Sequence, residues 1–398
     1  MSSARSPWPR LGRTDLHVHP LCLGGNVFGW TANETQSFAV LDAYAEGGGN
    51  FIDTADVYSA WVPGHQGGES ESIIGRWMSA RRCRPQMVIA TKVGAAPGVK
   101  GLSTATIQAA AEASLRRLGT DHIDLYFAHI DDAATPLDET LQAFDRLVKD
   151  GKVRHVGASN YTPQRLADAL ATSARHGLAR YDVLQPHYSL AHRHDFEGAM
   201  QDLCVHEGVA CVPYYALARG FLSGKYRLGV NIDSPRAEGA RAYLNDRGLR
   251  LLAVLDELAA AHEVTVSAVS LAWLPVGERT NDFVELLGRQ GDRTRAIDGS
   301  FATARKRDFD VGGEELDGVA VGFEEDVGED RDRVLALDDL LEELQLSHEI
   351  GLPSDEFHVR DDLGVGGHRT RSLSRGSREE REDEKVYRKG RGKPNDPT

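Results

Sequence analysis

Short apolar runs alternate with longer amphipathic stretches from about residue 20 to residue 274. Seven runs are predicted strands: 21–25, 50–56, 87–94, 123–130, 153–160, 181–189 and 209–216. The stretches between them have helical periodicity, as in SFAVLDAYAEGG, STATIQAAAEASLRRLG and PLDETLQAFDRLVKDG, and most end at glycine, the usual left-handed cap. Pro163, directly after Thr162, suits the first turn of another helix. Strand–helix alternation of this kind predicts right-handed crossovers and a parallel sheet.

A parallel α/β sheet of this size is either open and doubly wound or closed into an eight-stranded barrel. An open dinucleotide-binding sheet should carry G-x-G-x-x-G after its first strand, and the sequence has no such motif there. Segment 93–101, VGAAPGVKG, also lacks the spacing of a phosphate-binding loop. In a barrel the functional side chains lie where the strands end, and polar residues fall at those positions in this chain. We therefore favour a barrel.

Polar or aromatic side chains follow six of the seven runs. They are Asp53 and Tyr58, Lys92, His129, Ser159 and Asn160, Gln185, and Tyr214 with Tyr215. Each one alone has an ordinary explanation as a turn, a helix cap or the rim of a core. Because the carboxyl ends of parallel strands meet on one face of a barrel, the whole set favours a shared site.

Four of these residues suit the reduction of a carbonyl group. A carbonyl that takes a hydride at carbon needs a proton donor at its oxygen. Tyrosine, with a reference pKa of about 10, is a poor donor at neutral pH, but an ammonium about 4 Å away interacts with it by roughly 4 kcal/mol at an effective dielectric of about 20. We predict that Lys92 lowers the pKa of Tyr58, that Asp53 keeps Lys92 charged, and that His129 orients the carbonyl or assists the proton.

Five ordered segments resemble the aldo-keto reductase family: NFIDTADVY (50–58), ATKVG (90–94), GKVRHVGASN (151–160), LQPHYS (184–189) and VPYYALARGFLSGKY (212–226). The resemblance extends over residues 11–274. It implies a (β/α)₈ TIM barrel that binds NADPH without a Rossmann motif and reduces aldehydes and ketones. It also implies that Asp53, Tyr58, Lys92 and His129 are the catalytic tetrad.

The resemblance further implies the cofactor contacts. Ser159, Asn160 and Gln185 would contact the nicotinamide carboxamide, and Tyr214 would stack on the nicotinamide ring. The remaining implied cofactor-binding residues are Gly24, Gly25, Tyr215, Ala216, Leu217, Ala218, Arg219, Gly220 and Lys225.

Substrate and metal contacts are less clearly marked. Trp30 and Trp61 are candidates for the substrate rim, and simple packing against loops is an equal alternative. The pairs His17/His19 and His192/His194 form H-x-H patterns, but the sequence supplies no third ligand for them, so no metal site is predicted.

The family pattern stops after SLAWL (270–274). The predicted organisation is a barrel over 1–274, an atypical region over 275–367 and a charged, disordered tail over 368–398. The eighth strand and helix are not recognisable, and neither is the segment that grips the 2′-phosphate, so the preference for NADPH rests on the family alone. Three interpretations remain open: a shifted reading frame or junction, a divergent ending in which 316–323 closes the barrel, or an appended interaction segment. Residues 331–351 are predicted to form an amphipathic helix.

Composition narrows the expected partners and location. The net charge of −14 argues against nucleic-acid binding, and neither a membrane span nor a signal peptide is apparent. Four cysteines without a CxxC pair favour a reducing compartment. We expect a cytoplasmic protein that acts on a small-molecule carbonyl, without nucleic-acid or membrane partners; its oligomeric state is not predicted. The alternative is a non-catalytic barrel, either a disabled product or a cofactor-sensing subunit like the family members that associate with channels.

Overall fold

Seven parallel strands form one sheet in the computed structural model, which describes residues 8–262 and 264–277. The strands are β1 Leu23–Gly24, β2 Phe51–Asp53, β3 Val88–Val93, β4 Ile123–Ala128, β5 Val153–Ser159, β6 Tyr181–Gln185 and β7 Ala210–Cys211. The helices are α1 Glu34–Glu46, α2 Glu69–Arg81, α3 Thr104–Leu118, α4 Leu137–Lys149, α5 Pro163–His176, α6 Ala199–Glu207, α7 Ala237–Arg241, α8 Asp246–Ala261 and α9 Val266–Gly277. Short 3₁₀ segments lie at Arg84–Gln86 and Ala218–Ser223. The strands are hydrogen-bonded in chain order, from β1 to β7.

The sheet curves around an interior. The Gln185 side chain on β6 donates a hydrogen bond of 3.0 Å to Asp53 on β2. In a flat sheet, four strand spacings would separate these strands by roughly 19 Å. Phe51, Phe127 and Val183, from three separate strands, belong to one buried apolar cluster inside the curve. The fold class is therefore confirmed as the (β/α)₈ barrel type, and the predicted ending over 275–398 lies outside the described residues, apart from the backbone of α9.

Helices cover the outside of the sheet. Along β3, Val88 and Ala90 face the inner cluster, whereas Ile89 and Val93 pack in the outer one with the helices. The predicted helices are present, and their ends follow the predicted chemistry: Thr162 caps α5, which starts at Pro163. Gly119 and Gly177 end α3 and α5 in the left-handed conformation. Within the described residues no helix is both long and apolar enough to cross a membrane.

Strands β2 and β7 are much shorter than their predicted apolar runs. After β2, two single hydrogen bonds continue its pairing with β3. The amide of Thr54 donates to the carbonyl of Ala90, and the amide of Asp56 donates to the carbonyl of Lys92. After β7, the amide of Tyr214 bonds the carbonyl of Pro186 in the same way. Because the backbone leaves the sheet at these points, it forms the loops that carry Tyr58 and Tyr214 over the barrel mouth.

Candidate active site

The polar strand ends point into the barrel because each lies two residues beyond an inward-facing side chain. The pairs are Phe51 and Asp53, Ala90 and Lys92, Phe127 and His129, and Val183 and Gln185. Side chains two residues apart in a strand share one face, so an apolar floor leads directly to a polar layer above it.

Lys92 lies at the centre of this layer and is completely buried. Its Nζ donates to Asp53 Oδ2 at 2.5 Å, to the Thr54 carbonyl at 2.8 Å and to Tyr58 Oη at 3.2 Å. Burial disfavours the ammonium, but the Asp53 carboxylate and Tyr58 outweigh it and raise the pKa of Lys92 to about 12. Lys92 is therefore a permanent buried cation held by Asp53, as the sequence predicted.

Tyr58 is held over Lys92 by a tight turn. Its amide bonds the carbonyl of Ala55, and its own carbonyl accepts from the amides of Gly68 and Ser70 at the start of α2. Burial raises the pKa of Tyr58 to about 12, although the Lys92 ammonium acts in the opposite direction. Lys92 therefore lowers the pKa of Tyr58 as predicted, but the desolvation of the phenol, which the prediction left out, has the larger effect.

His129 completes the layer as a neutral imidazole. Burial, assisted by the Lys92 charge, lowers the pKa of His129 to about 3. Its ring meets the Tyr58 ring edge-to-face, with centroids 6.1 Å apart. Its buried Nδ1 has no hydrogen-bond partner among the described residues. A group of this pKa can accept or donate a hydrogen bond but is not an acid at neutral pH.

The residues implied for the carboxamide form one hydrogen-bonded chain. Ser159 Oγ donates to the Gln185 carbonyl at 2.9 Å, and the Asn160 amide donates to Ser159 Oγ and to the His129 carbonyl. Tyr214 Oη donates to Asn160 Oδ1 at 2.8 Å. Asn160 has a left-handed backbone, with φ of 58°, and this conformation directs the chain away from β5. The structure therefore brings all four residues to one wall, where the side chains of Ser159, Asn160 and Tyr214 are linked to one another and Ser159 is linked to the backbone carbonyl of Gln185.

An open cleft of about 1250 Å³ contains nearly every predicted site residue. The lining includes Gly24, Trp30, Asp53, Tyr58, Trp61, His129, Ser159, Asn160, Gln185, Tyr214, Tyr215, Ala216, Leu217, Arg219, Gly220 and Lys225. Gly25, Lys92 and Ala218 are not part of the lining. A Cβ on Gly25 would lie 2.8 Å from Ser70 Oγ, so this glycine permits internal packing, whereas Lys92 and Ala218 are fully buried.

One side of the cleft is formed by residues that were not predicted from the sequence. Arg236, just before α7, lines it, as do Thr265, Ser267 and Leu271 at the start of α9. Thr265 Oγ1 accepts from the Ala268 amide at 3.1 Å, which is a helix-cap interaction. A threonine directly before an apolar helix predicts a helix cap, but the neighbouring sequence does not indicate that this cap faces the cleft.

Aromatic rings form the outer rim. Trp61 is 46% exposed and meets Trp30 and Tyr58 edge-to-face, with centroids 5.7 and 5.8 Å apart. Both tryptophans line the cleft, so their position fits the predicted substrate rim. Tyr215 is also exposed, and its ring stacks under the guanidinium of Arg219 at 4.7 Å.

A group of buried charged residues lies close to the turn that carries Tyr58. Glu71 is fully buried and accepts from Arg117 Nε and Thr91 Oγ1, both at 2.6 Å. The Asp56 carboxyl, two residues before Tyr58, has no hydrogen-bond partner among the described residues. Burial and the neighbouring Glu71 charge raise the pKa of Asp56 to about 7.

Comparison with known proteins agrees with this geometry. The chain is 34% identical over 284 residues to norsolorinic acid reductase stcV of Emericella nidulans, covering 65% of this chain and 68% of that protein. It is 29% identical to aryl-alcohol dehydrogenase GME11368 of Pestalotiopsis microspora, over 79% of this chain and 81% of that protein. It is 31% identical to a probable voltage-gated potassium channel subunit beta of Arabidopsis thaliana, over 67% of this chain and 82% of that protein. The model of the Aldo/keto reductase family matches residues 20–280, and the chain belongs to that family.

Proposed function

We propose that the protein is an NADPH-dependent reductase that converts an aldehyde or ketone to an alcohol. The observation that carries the proposal is the buried Lys92 ammonium, which contacts both Asp53 and the Tyr58 hydroxyl at the floor of an open cleft. Tyr58 is the proposed proton donor, and His129 is the neutral hydrogen-bonding group beside it.

The cleft fits a nicotinamide dinucleotide in size and chemistry. Its volume of about 1250 Å³ exceeds the roughly 300–1000 Å³ of typical small-molecule pockets. Gly24 presents no side chain to the cleft, and a Cβ added there would have no neighbour closer than 3.8 Å. Ser159, Asn160 and Gln185 offer hydroxyl and amide groups for a carboxamide, and the flat face of Tyr214 suits a nicotinamide ring. Lys225 and Arg236 place positive charge on the lining for phosphates.

A bound NADPH would contribute the hydride that adds to the carbonyl carbon. Tyr58 gives its proton to the carbonyl oxygen, and the resulting phenolate lies 3.2 Å from the Lys92 ammonium. Asp53 keeps that ammonium in place, so no reorganisation is needed as charge develops. Tyr58 then regains a proton from water, and the balance is carbonyl, NADPH and one proton to alcohol and NADP⁺.

The raised pKa makes Tyr58 by itself a weaker acid than free tyrosine, so its role as the donor depends on the Lys92 ammonium. With a pKa of about 12, the phenol remains protonated throughout the physiological pH range before a carbonyl binds. Lys92 already donates a hydrogen bond to the neutral phenol, but its charge stabilises the phenolate more strongly, and this difference is what accelerates a reaction. His129, with its pKa lowered to about 3, orients the carbonyl oxygen by a hydrogen bond and does not supply the proton.

We infer that the substrate carries a planar aromatic group next to its carbonyl. Trp30, Trp61 and Tyr58 present ring edges and faces at the mouth of the cleft, where an aromatic substrate would bury area and stack. The name of one relative, aryl-alcohol dehydrogenase, supports the same class. A reducing, cytoplasmic location is part of the proposal, since the four cysteines of the sequence include no CxxC pair.

The test is steady-state oxidation of NADPH by the purified full-length chain with an aromatic aldehyde series, compared with aliphatic aldehydes. We expect turnover that prefers the aromatic series and is lost by at least a hundredfold in Tyr58→Phe, while NADPH binding, followed by tryptophan fluorescence, is retained. Tyr44→Phe is the matched control, because that phenol bonds backbone groups and Tyr44 does not line the cleft. Full activity in Tyr58→Phe would overturn the proposed donor.

The second candidate function is that of a cofactor-sensing subunit without significant turnover. It is favoured by the 31% identity to a probable potassium channel subunit beta. Tight NADPH binding without reduction of any carbonyl in the series would favour this candidate. Turnover of an aromatic aldehyde at ordinary enzyme rates would exclude it as the main function.

A further inference from the structure

The loop between β6 and α6, residues 186–198, collects metal-ligating side chains beside the proposed active site. His192 Nε2 lies 2.6 Å from Asp195 Oδ2, and His194 Nε2 lies 3.0 Å from Asp195 Oδ1. One ligand atom from each of these three residues lies within 4.8 Å of the others. The third ligand that the H-x-H pattern lacked in the sequence is therefore Asp195, the residue directly after the second histidine.

The loop backbone is built so that both imidazoles meet the carboxylate. Ser189 and His192 exchange two backbone hydrogen bonds, of 2.9 and 3.1 Å, which close a tight turn. Arg193, between the two histidines, is buried and bonds Glu197 at 2.6 Å. The rings of His192 and His194 lie 4.4 Å apart, and the His194 side chain is exposed to solvent.

A stack of three rings connects this cluster to the cleft. The His192 ring lies 3.7 Å from the His187 ring at an angle of 13°, and His187 lies 5.3 Å from the Tyr214 ring at 17°. Tyr214 is the cleft residue proposed to face the nicotinamide. The ring plane of His192 is thus held by packing as well as by Asp195, and a held donor loses less entropy when it binds a ligand.

We propose that His192, His194 and Asp195 form a binding site for a divalent transition-metal ion of the zinc class. Two imidazoles and one carboxylate are the donors that Zn²⁺ and its neighbours prefer, whereas Mg²⁺ and Ca²⁺ favour all-oxygen sites. Metal–ligand bonds of about 2.0–2.2 Å need donor atoms roughly 3–4 Å apart, so only small side-chain rotations are required. Three protein ligands leave a position open to water. The bound ion would fix the position of the His192 ring at one end of the stack. This role does not depend on whether the cleft is catalytic.

The experiment is titration of the tag-free, chelator-treated full-length chain with ZnCl₂ by calorimetry, and with CoCl₂ by visible absorption. We expect one equivalent of Zn²⁺ to bind, and a Co²⁺ spectrum typical of nitrogen and oxygen ligands. Affinity should fall at least tenfold in His194→Ala and in Asp195→Asn. His192→Phe should also lower the affinity at least tenfold, because phenylalanine can still stack on the His187 ring but has no nitrogen to bind the ion.

The matched control is His206→Ala on α6. His206 is exposed and lies 3.9 Å from the Glu207 carboxylate, so it forms a histidine–acid pair without a second imidazole. This variant should bind Zn²⁺ as the parent does. Absence of stoichiometric binding would overturn the proposal, and so would binding that is unchanged in the His194 and Asp195 variants, because the ion would then be held elsewhere. Circular dichroism of each variant confirms that a loss reflects the site and not unfolding.

Discussion

Lys92→Met tests the central electrostatic contact of the site. Methionine keeps an unbranched side chain of similar length but removes the ammonium that contacts Asp53, the Thr54 carbonyl and Tyr58. In the proposed reaction the phenolate of Tyr58 would then form in a buried site without its cation. We therefore expect a loss of kcat and little change in NADPH affinity, because Lys92 does not line the cleft.

The magnitude follows from the 3.2 Å between Lys92 Nζ and Tyr58 Oη. At an effective dielectric of about 20, a full charge pair at this distance is worth about 5 kcal/mol. A proton half transferred in the transition state develops half of that, about 2.5 kcal/mol. Since each 1.36 kcal/mol changes a rate about tenfold, kcat should fall by roughly 10²-fold, and by close to 10⁴-fold if transfer is complete.

The assay is NADPH oxidation with the best aromatic aldehyde, alongside NADPH binding by tryptophan fluorescence. Lys152→Met is the control, because this partly exposed lysine pairs only with Glu112 on the surface. If Lys92→Met fails to fold, the double variant with Asp53→Asn removes the unpaired carboxylate and keeps the test. A folded variant with kcat within threefold of the parent would refute the role assigned to the ammonium.

Three further predictions concern stability, each measured by urea unfolding. Asp56→Asn should flatten the pH dependence of the free energy of unfolding. The pKa of Asp56 in the folded protein, about 7, exceeds its ordinary value of 3.8, so the stability that this group contributes is complete below about pH 4 and is lost as pH rises through 7. Arg117→Met should lower the free energy of unfolding by about 3 kcal/mol, because it leaves the buried Glu71 carboxylate without its cation. Gly157→Ala should cost about 1–3 kcal/mol, since its Cβ would lie 2.5 Å from an aromatic ring of β4, whereas Gly24→Ala should cost little because its nearest neighbour is at 3.8 Å.

Each of these three has a clear contrary result. A parent and an Asp56→Asn variant with the same fall in stability between pH 5 and pH 8 would show that Asp56 does not retain a proton. An Arg117 variant as stable as the parent would mean that Glu71 finds another partner or a proton. Equal stability of the two alanine variants would show that β4 and β5 adjust to the added methyl group.

Much of the fold was predictable because its signals are local. Alternating apolar runs and helical stretches predicted the parallel strands in chain order, and capping residues such as Thr162 and Gly119 predicted helix ends. The strand-end positions of Asp53, Lys92 and His129 predicted that they would meet, because parallel strands deliver their carboxyl ends to one face. The family model and the relatives confirm the family that these motifs suggested.

The sequence by itself therefore determined the order of the strands, the alternation of side chains that places every second residue of a strand inside the barrel, and the set of polar side chains at the barrel mouth. Tertiary structure alone decided how these groups behave. The net pKa of Tyr58 depends on how much water surrounds the phenol, and the turn closed by Ser189 and His192 determines how near Asp195 lies to the two imidazoles. Arg236 and Thr265 reach the cleft from segments far along the chain. Desolvation and contacts between distant segments depend on distances in space, and spacing along a sequence does not specify those distances.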